Sequence, residues 1–174
     1  MRKETTVCFS GHRPEKYPFL ADMAGEAYLT LENRLEEAIF KSIDDGYKTF
    51  ICGMAMGFDL IAGSLLVNLK ESWSGLEDIH LAAILPFQGH GFSGHPWCLL
   101  HQMVLRQASQ IITLPSHCPS KKAYHDRNRF MVDHSSRLIC YYSGQKGGTD
   151  YTVRYAQKQG LEIINLYQCT DIGG

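Results

Sequence analysis

Three glycine-containing turns, each directly behind a short apolar run, are the features of this sequence best suited to chemistry. They are SGHRP at residues 10–14, CGMAMGFD at residues 52–59 and GQKGGT at residues 144–149. Glycine lets the backbone turn sharply and approach a ligand, and free N–H groups at the start of a following helix favour an anion. Because the carboxyl ends of parallel strands share one edge of a sheet, we expect the turns to form one composite site.

Polar side chains in these turns supply the chemistry of the predicted site. Arg13 follows Gly11 at a strand end and offers a planar fork suited to phosphate or carboxylate. Asp59 follows Gly57 at the start of a predicted helix. The alternatives are that His12 and Arg13 form a solvated loop pair and that Asp59 only caps a helix.

The turns are positioned by strand and helix patterns that alternate along the chain. Strands separated by helices of this length imply right-handed βαβ units, and hence an α/β sandwich of three layers with a mainly parallel central sheet of about six strands. The expected strands are 5–10, 48–52, 80–85, 110–114, 137–142 and 162–167, and the expected helices are 26–43, 59–70, 97–109, 124–135 and 149–158.

Composition predicts one cytoplasmic domain over residues 1–174. The chain is 44% hydrophobic, lacks a linker-like composition shift, and has no apolar run long enough for a signal or a membrane span. A formal net charge of −1 argues against a nucleic-acid partner. The six cysteines, Cys169 among them, form no C-x-x-C pair and are expected to be reduced thiols.

Four segments together resemble the YpsA-like branch of the SLOG superfamily, and the resemblance spans nearly the whole chain. They are residues 10–14, GMAMGFDLIA at 53–62, RNRFMVD at 127–133, and GGT at 147–149 followed by TVRYA at 152–156. The resemblance implies a bacterial, Rossmann-like protein, similar to the DprA/Smf DNA-processing proteins and the LOG phosphoribohydrolases, that binds a nucleotide or nucleotide-derived ligand.

The resemblance also assigns residues to the ligand. In DprA-type proteins a similar glycine turn admits the ligand and its aspartate can meet ribose or base donors, which implies that role for Asp59. In LOG proteins an arginine at the position of Arg127 contacts the nucleotide phosphate. Arg127 and Arg129 could instead lie on a solvated helix face. The predicted ligand-binding residues are Ser10, Gly11, His12, Arg13, Gly53, Met54, Gly57, Asp59, Arg127, Arg129, Gly147, Gly148 and Thr149.

Three positions depart from the related patterns. LOG proteins have lysine where this chain has Asn128, and family members usually have aspartate where it has Ser136. The LOG pattern also places a glutamate that acts on the ribosyl bond at the position of Thr152, and threonine cannot transfer that proton at neutral pH. LOG-type hydrolysis is therefore unsupported, although Asp59 or Asp150 could supply another acid.

We therefore predict a nucleotide-binding sensor or regulatory module rather than an enzyme. The alternatives are a nucleotide-processing enzyme of phosphoribohydrolase type and a DprA-like single-stranded DNA binder. The loop histidines do not have the spacing of a compact zinc site, so no bound metal is expected. A nucleotide-type ligand is expected, and no further cofactor is predicted. Self-association into a homo-oligomer stays open.

Overall fold

The computed structural model describes residues 1–168, and its centre is a six-stranded, all-parallel sheet. The Cys169 thiol lies outside the described residues. The strands are β1 (Thr6–Gly11), β2 (Thr49–Cys52), β3 (His80–Leu85), β4 (Gln110–Thr113), β5 (Arg137–Tyr141) and β6 (Glu162–Asn165), and their order across the sheet is β4-β3-β2-β1-β5-β6. The expected α/β sandwich with a parallel sheet of six strands is confirmed.

Five α-helices connect these strands, and two short 3₁₀-helices lie at Lys3–Thr5 and Pro18–Ala21. The α-helices are α1 (Glu26–Asp44), α2 (Phe58–Ser72), α3 (Cys98–Gln107), α4 (Lys121–Asp133) and α5 (Gly148–Lys158). Helix α4 begins earlier than the predicted residue 124 because Ser120 caps it: the Ser120 hydroxyl accepts a hydrogen bond of 3.1 Å from the Ala123 N–H.

The sheet buries both of its faces under helices. Alternate residues of β1 point to opposite faces, so Val7 and Phe9 join one apolar cluster while Cys8 joins the other. Helices α1, α2 and α3 cover the first cluster. Helices α4 and α5 cover the second, where Met131 and Val153 are buried. The result is the three-layer arrangement that the sequence predicts.

The strand order reverses beside β1, which lies between β2 and β5. From β1 the chain proceeds through β2 and β3 to β4, and it then returns to place β5 on the other side of β1, with Gly11 paired to Tyr141. In open α/β sheets such a reversal leaves a crevice at the carboxyl ends of the strands, where ligands bind.

The amino end of the sheet carries a buried arginine. Arg137, the first residue of β5, is 3% exposed. Its Nε and Nη2 donate hydrogen bonds of 2.9 and 2.7 Å to Glu162 Oε2, Nη2 also donates 2.6 Å to Asp45, and Nη1 donates 3.0 Å to Ser42. The guanidinium lies 4.2 Å from the Tyr47 ring centroid. This network joins α1 to β5 and β6.

No helix within residues 1–168 is both long and apolar enough to cross a membrane.

Candidate functional site

A cavity of about 630 Å³ lies at the carboxyl end of the sheet, beside the strand-order reversal. Its walls come from the end of β1 and the following loop, the β2–α2 turn, one face of α4 and the start of α5. Nine predicted ligand-binding residues lie on the wall: Ser10, Gly11, His12, Arg13, Asp59, Arg127, Gly147, Gly148 and Thr149. Four others do not line it: Gly53, Met54, Gly57 and Arg129.

The floor of the cavity contains a buried ion pair. Arg127 Nη1 lies 3.1 Å from Asp59 Oδ2, and the two side chains are 5% and 7% exposed. The same Nη1 donates a hydrogen bond to the Gly53 carbonyl, while Arg127 Nε is buried with no hydrogen-bond partner among the described residues. Burial raises the pKa of Asp59, and the Arg127 charge opposes that rise. Each charge therefore largely neutralises the other.

The glycines of the first two turns make room for the protein itself. A Cβ at Gly53 would lie 1.7 Å from Arg127 Nη1, and a Cβ at Gly11 would lie 2.4 Å from Phe58 Cβ. Gly57 has φ of +87°, and a Cβ there would lie 2.8 Å from the His12 carbonyl oxygen. Close packing within the chain thus requires glycine at 53 and 57, and the expectation that these glycines admit a ligand stays a prediction.

The third turn is more open. Gly147 caps the start of α5 without a side-chain hydrogen bond, and a Cβ at Gly148 would meet no atom within 4 Å. Backbone N–H groups in the first turn of a helix have no intrahelical acceptor, and the helix dipole adds partial positive charge. This end of α5 is thus an anion-favouring part of the wall.

Basic side chains outnumber acidic ones on the cavity wall. The acids are Glu15 and the ion-paired Asp59, and the basic residues are Arg13, Lys16, Lys121 and Arg127. The Arg13 guanidinium lies 5.4 Å from the Tyr124 ring centroid, and Lys16 Nζ donates a 2.9 Å hydrogen bond to the Lys146 carbonyl. The first of these contacts fixes Arg13 against α4, and the second ties the loop after β1 to the loop before α5.

His12 lines the cavity as a neutral ring. Burial, reinforced by the nearby Lys16 charge, lowers the pKa of His12 to about 4. Its Nε2 accepts a 3.2 Å hydrogen bond from the Ser143 N–H, so the ring proton is on Nδ1. His12 therefore joins β1 to the loop after β5 and adds no positive charge at neutral pH.

One face of α4 supplies wall residues that the sequence interpretation missed. Lys121, Tyr124, His125 and Asn128 all line the cavity, and their spacing of three and four residues places them on one helix face. That spacing was visible in the sequence. It went unused because the predicted helix began at residue 124, which left Lys121 in the preceding loop. Glu15, Lys16, Ala55 and Tyr151 were also missed, and no local pattern marks them.

A stack of side chains stands at the α4–α5 side of the cavity. The rings of His125 and Tyr151 are 4.0 Å apart and 7° from parallel, and the Tyr151 and Tyr155 rings are also stacked, at 6.4 Å. The Arg129 guanidinium lies 5.7 Å from both tyrosine centroids, and its Nε donates to the Tyr151 hydroxyl. Arg129, predicted to touch ligand, instead supports this stack from outside the cavity.

Two positions that depart from the LOG pattern bond to one another. Asn128 Nδ2 donates a 2.8 Å hydrogen bond to the Thr152 hydroxyl, which in turn donates 3.0 Å to the Gly148 carbonyl. Thr152 is 1% exposed and does not line the cavity. Asp150 accepts from Tyr142 and Arg154, which lower its pKa, and it also lies off the wall.

No group of three or more His, Cys, Asp or Glu side chains in residues 1–168 is arranged to hold a metal ion. In the loop after β3, His90 packs into an aromatic cluster. The His90 ring lies 5.4 Å from His101, 5.2 Å from Phe87 and 5.2 Å from Phe92. Phe87 in turn contacts Tyr124 on the cavity wall.

The comparisons with known proteins agree with this architecture. The YpsA family model, described as the YspA SLOG family, matches residues 7–172. DNA processing protein A (DprA) from Streptococcus pneumoniae is a structural neighbour at TM-score 0.61 and 15% identity, covering 94% of this chain and 49% of its own. DprA from Helicobacter pylori, described with a unique single-stranded DNA binding mode, gives 0.56 and 19%, covering 91% and 63%.

At these identities the structural likeness establishes the fold alone. The chain spans less than two thirds of either DprA protein. No curated protein sequence matches it.

Proposed function

The chain belongs to the YpsA family of SLOG proteins, and from that premise we propose that it binds a nucleotide or nucleotide-derived ligand in the cavity at the carboxyl end of its sheet. The proposed role is that of a sensor or regulatory module. The observation that carries this proposal is an excess of basic side chains on a wall that also contains the uncapped start of α5. Such a wall favours an anionic group.

The cavity wall contains both kinds of surface that a nucleotide needs. Arg13, Lys16, Lys121 and the N–H groups around Gly148 form the polar part suited to phosphate. Tyr124, His125 and Tyr151 form a ring-lined part. A volume of about 630 Å³ lies within the usual range for pockets that enclose small ligands and cofactors.

The acids near the cavity favour binding over LOG-type hydrolysis. Asp59 is paired with Arg127, Asp150 lies off the wall, and the Thr152 hydroxyl is committed to Asn128 and Gly148. A general acid must reach the leaving group and exchange a proton with it. Glu15 is the remaining carboxylate on the described wall, and it is exposed in the loop after β1.

The test is a nucleotide panel measured by thermal shift and by calorimetry. A ligand at one hundred times its dissociation constant should stabilise the protein by about 2.7 kcal/mol. Gly148→Asp should weaken binding at least tenfold, because it places a carboxylate in open space at the anion-favouring helix start. Gln157→Asp, on the exposed far end of α5, is the matched control. A panel without a binding nucleotide overturns the proposal, and release of free base, followed by chromatography, overturns the sensor role.

A second candidate function is single-stranded DNA binding, which the H. pylori DprA neighbour favours and which weighs against the expectation of no nucleic-acid partner. The exposed Arg13, Lys16 and Lys121 give this function a local basic surface on a chain of net charge −1. Binding to DNA should weaken steeply with salt, with a slope set by the number of phosphates contacted. Titration of an oligodeoxythymidylate at two salt concentrations distinguishes it from binding of a free nucleotide.

A further inference from the structure

We propose that the ligand carries an aromatic base, and that this base stacks on the face of His125 turned away from Tyr151. The inference rests on the proposed function, because it takes the phosphate end of the same ligand to lie at the start of α5. The inference adds the chemical class of the other end of the ligand, which is an aromatic base. The ligand is then a free nucleotide rather than a sugar phosphate or an inorganic anion.

The first support is the stack behind His125. Tyr151 covers one face of the imidazole at 4.0 Å and 7°, and Tyr151 is itself contacted by Arg129, whose guanidinium lies 5.7 Å from the ring centroid and donates to the hydroxyl. Tyr155 completes the stack, and its hydroxyl donates a 2.9 Å hydrogen bond to Asp133. Each layer is thus fixed by a neighbour, so the outermost ring is held in place before any ligand arrives.

The second support is the position of His125 on the cavity wall. The ring lines the cavity, it is half-buried, and Tyr151 is the single aromatic ring among the described residues that stacks on it. Burial and the charges of Lys121 and Arg129 lower the pKa of His125, so the imidazole is neutral at pH 7. A neutral, flat ring is a surface on which nucleobases stack well.

The third support is the distribution of polar groups around the ring. Lys121 lies one helical turn before His125 on the same face of α4, and Asn128 lies three residues after it. The start of α5 also lines this cavity and carries Gly148. A base on His125 therefore has phosphate-binding groups within the same cavity, and the Asn128 amide on the same wall.

The experiment compares AMP with ribose 5-phosphate by calorimetry on the full chain. We expect AMP to bind about tenfold more tightly than ribose 5-phosphate, because the free energy of stacking one base on an aromatic ring corresponds to an affinity ratio of about ten. His125→Ala should remove that difference, and His125→Phe should keep it. His134→Ala is the matched control, because His134 stacks on Phe130 at 4.0 Å at the end of the same helix but does not line the cavity.

Proton NMR gives a readout that a structural role would not move. The His125 ring resonance should shift upfield with AMP, through the ring current of the base, and stay in place with ribose 5-phosphate. Equal affinity for the two ligands overturns the stacking proposal but leaves the proposed function standing. Failure of both to bind, together with failure of every nucleotide in the panel above, overturns the proposed function itself. Tight binding of an oligodeoxythymidylate with no binding of AMP overturns the assignment to a free nucleotide.

Discussion

At the amino end of the sheet, Arg137 is buried but donates hydrogen bonds from all three of its nitrogens. The acceptors are the Ser42 hydroxyl and the carboxylates of Asp45 and Glu162, which are themselves 35% and 52% exposed. At the carboxyl end, Arg127 is buried beside an equally buried Asp59, and its Nε has no partner in the described part of the chain. Arg137 joins the sheet to α1, and Arg127 joins α4 to the turn after β2 and to the start of α2. All three nitrogens of Arg137 therefore have hydrogen-bond partners. By contrast, Nε of Arg127 has none among the described residues, and Arg127 lines the cavity.

The comparison shows why a buried charge alone does not mark a functional site. A satisfied buried arginine is explained by the elements it joins, and Arg137 joins α1, β5 and β6. An incompletely satisfied one calls for a further explanation, since buried polar groups are nearly always hydrogen-bonded. Arg127 lines the cavity, so we expect Nε to donate a hydrogen bond to an acceptor on the ligand or to a water that the ligand orders.

The largest expected effect is that of Arg127→Ala. Removing one partner of a buried pair leaves the other charge without compensation, at about 3–5 kcal/mol in the free energy of unfolding. The double variant Arg127→Met with Asp59→Leu should recover most of that stability and still fail to bind nucleotide. Urea unfolding and calorimetry measure the two properties separately. Nucleotide binding that persists in the stable double variant would show that the pair is only structural.

As the pH falls, residues at the carboxyl end of the sheet should lose their contribution to stability before those at the amino end. Burial lowers the pKa of both His12 and His90 to about 4, from an ordinary value near 6.5. The unfolded chain therefore binds more protons than the folded one between these values, and stability falls as the pH drops from about 6.5 to 4. Urea midpoints measured through this range check the expectation, and His90→Phe should reduce the slope.

The amino end of the sheet should keep its contribution to stability between pH 6.5 and 4. Hydrogen bonds from Arg137 and Lys41 hold the pKa of Asp45 below its ordinary value. Its contribution is present above that ordinary value and is lost only as the pH falls through the lowered one. A single acid transition below pH 4, with no loss between 6.5 and 4, would contradict the contrast between the two ends.

Arg137→Ala should cost less than Arg127→Ala, about 2 kcal/mol, because the carboxylates left behind are partly in water. Nucleotide affinity should not change, since the network lies at the opposite end of the sheet from the cavity. Arg137→Lys is a useful companion, because a lysine keeps the charge but cannot make the three-sided set of hydrogen bonds. An altered affinity in either variant would mean that the two ends are coupled.

The sequence predicted the fold well because alternating apolar periods report directly on strands and helices. It also predicted that the turns lie at one edge of the sheet, where the cavity is found, since turns after parallel strands must share an edge. It could not predict which glycines face the cavity. Gly53 and Gly148 look alike in sequence, but the space at Gly53 is filled by Arg127, which is 74 residues away along the chain. The hydrogen bond from Asn128 to Thr152 likewise joins residues that are distant along the chain, 24 positions apart.

The smallest expected effect tests that distinction between glycines. Gly148→Ala should stabilise the protein by about 0.4–1 kcal/mol, because the added methyl enters open space and restricts the unfolded chain. The matched change Gly53→Ala should destabilise it, because the Cβ would overlap the Arg127 guanidinium. Urea unfolding of both variants decides the point. If the two substitutions change stability in the same direction, the carboxyl edge does not divide into a turn packed by the protein and a turn left open for an anion.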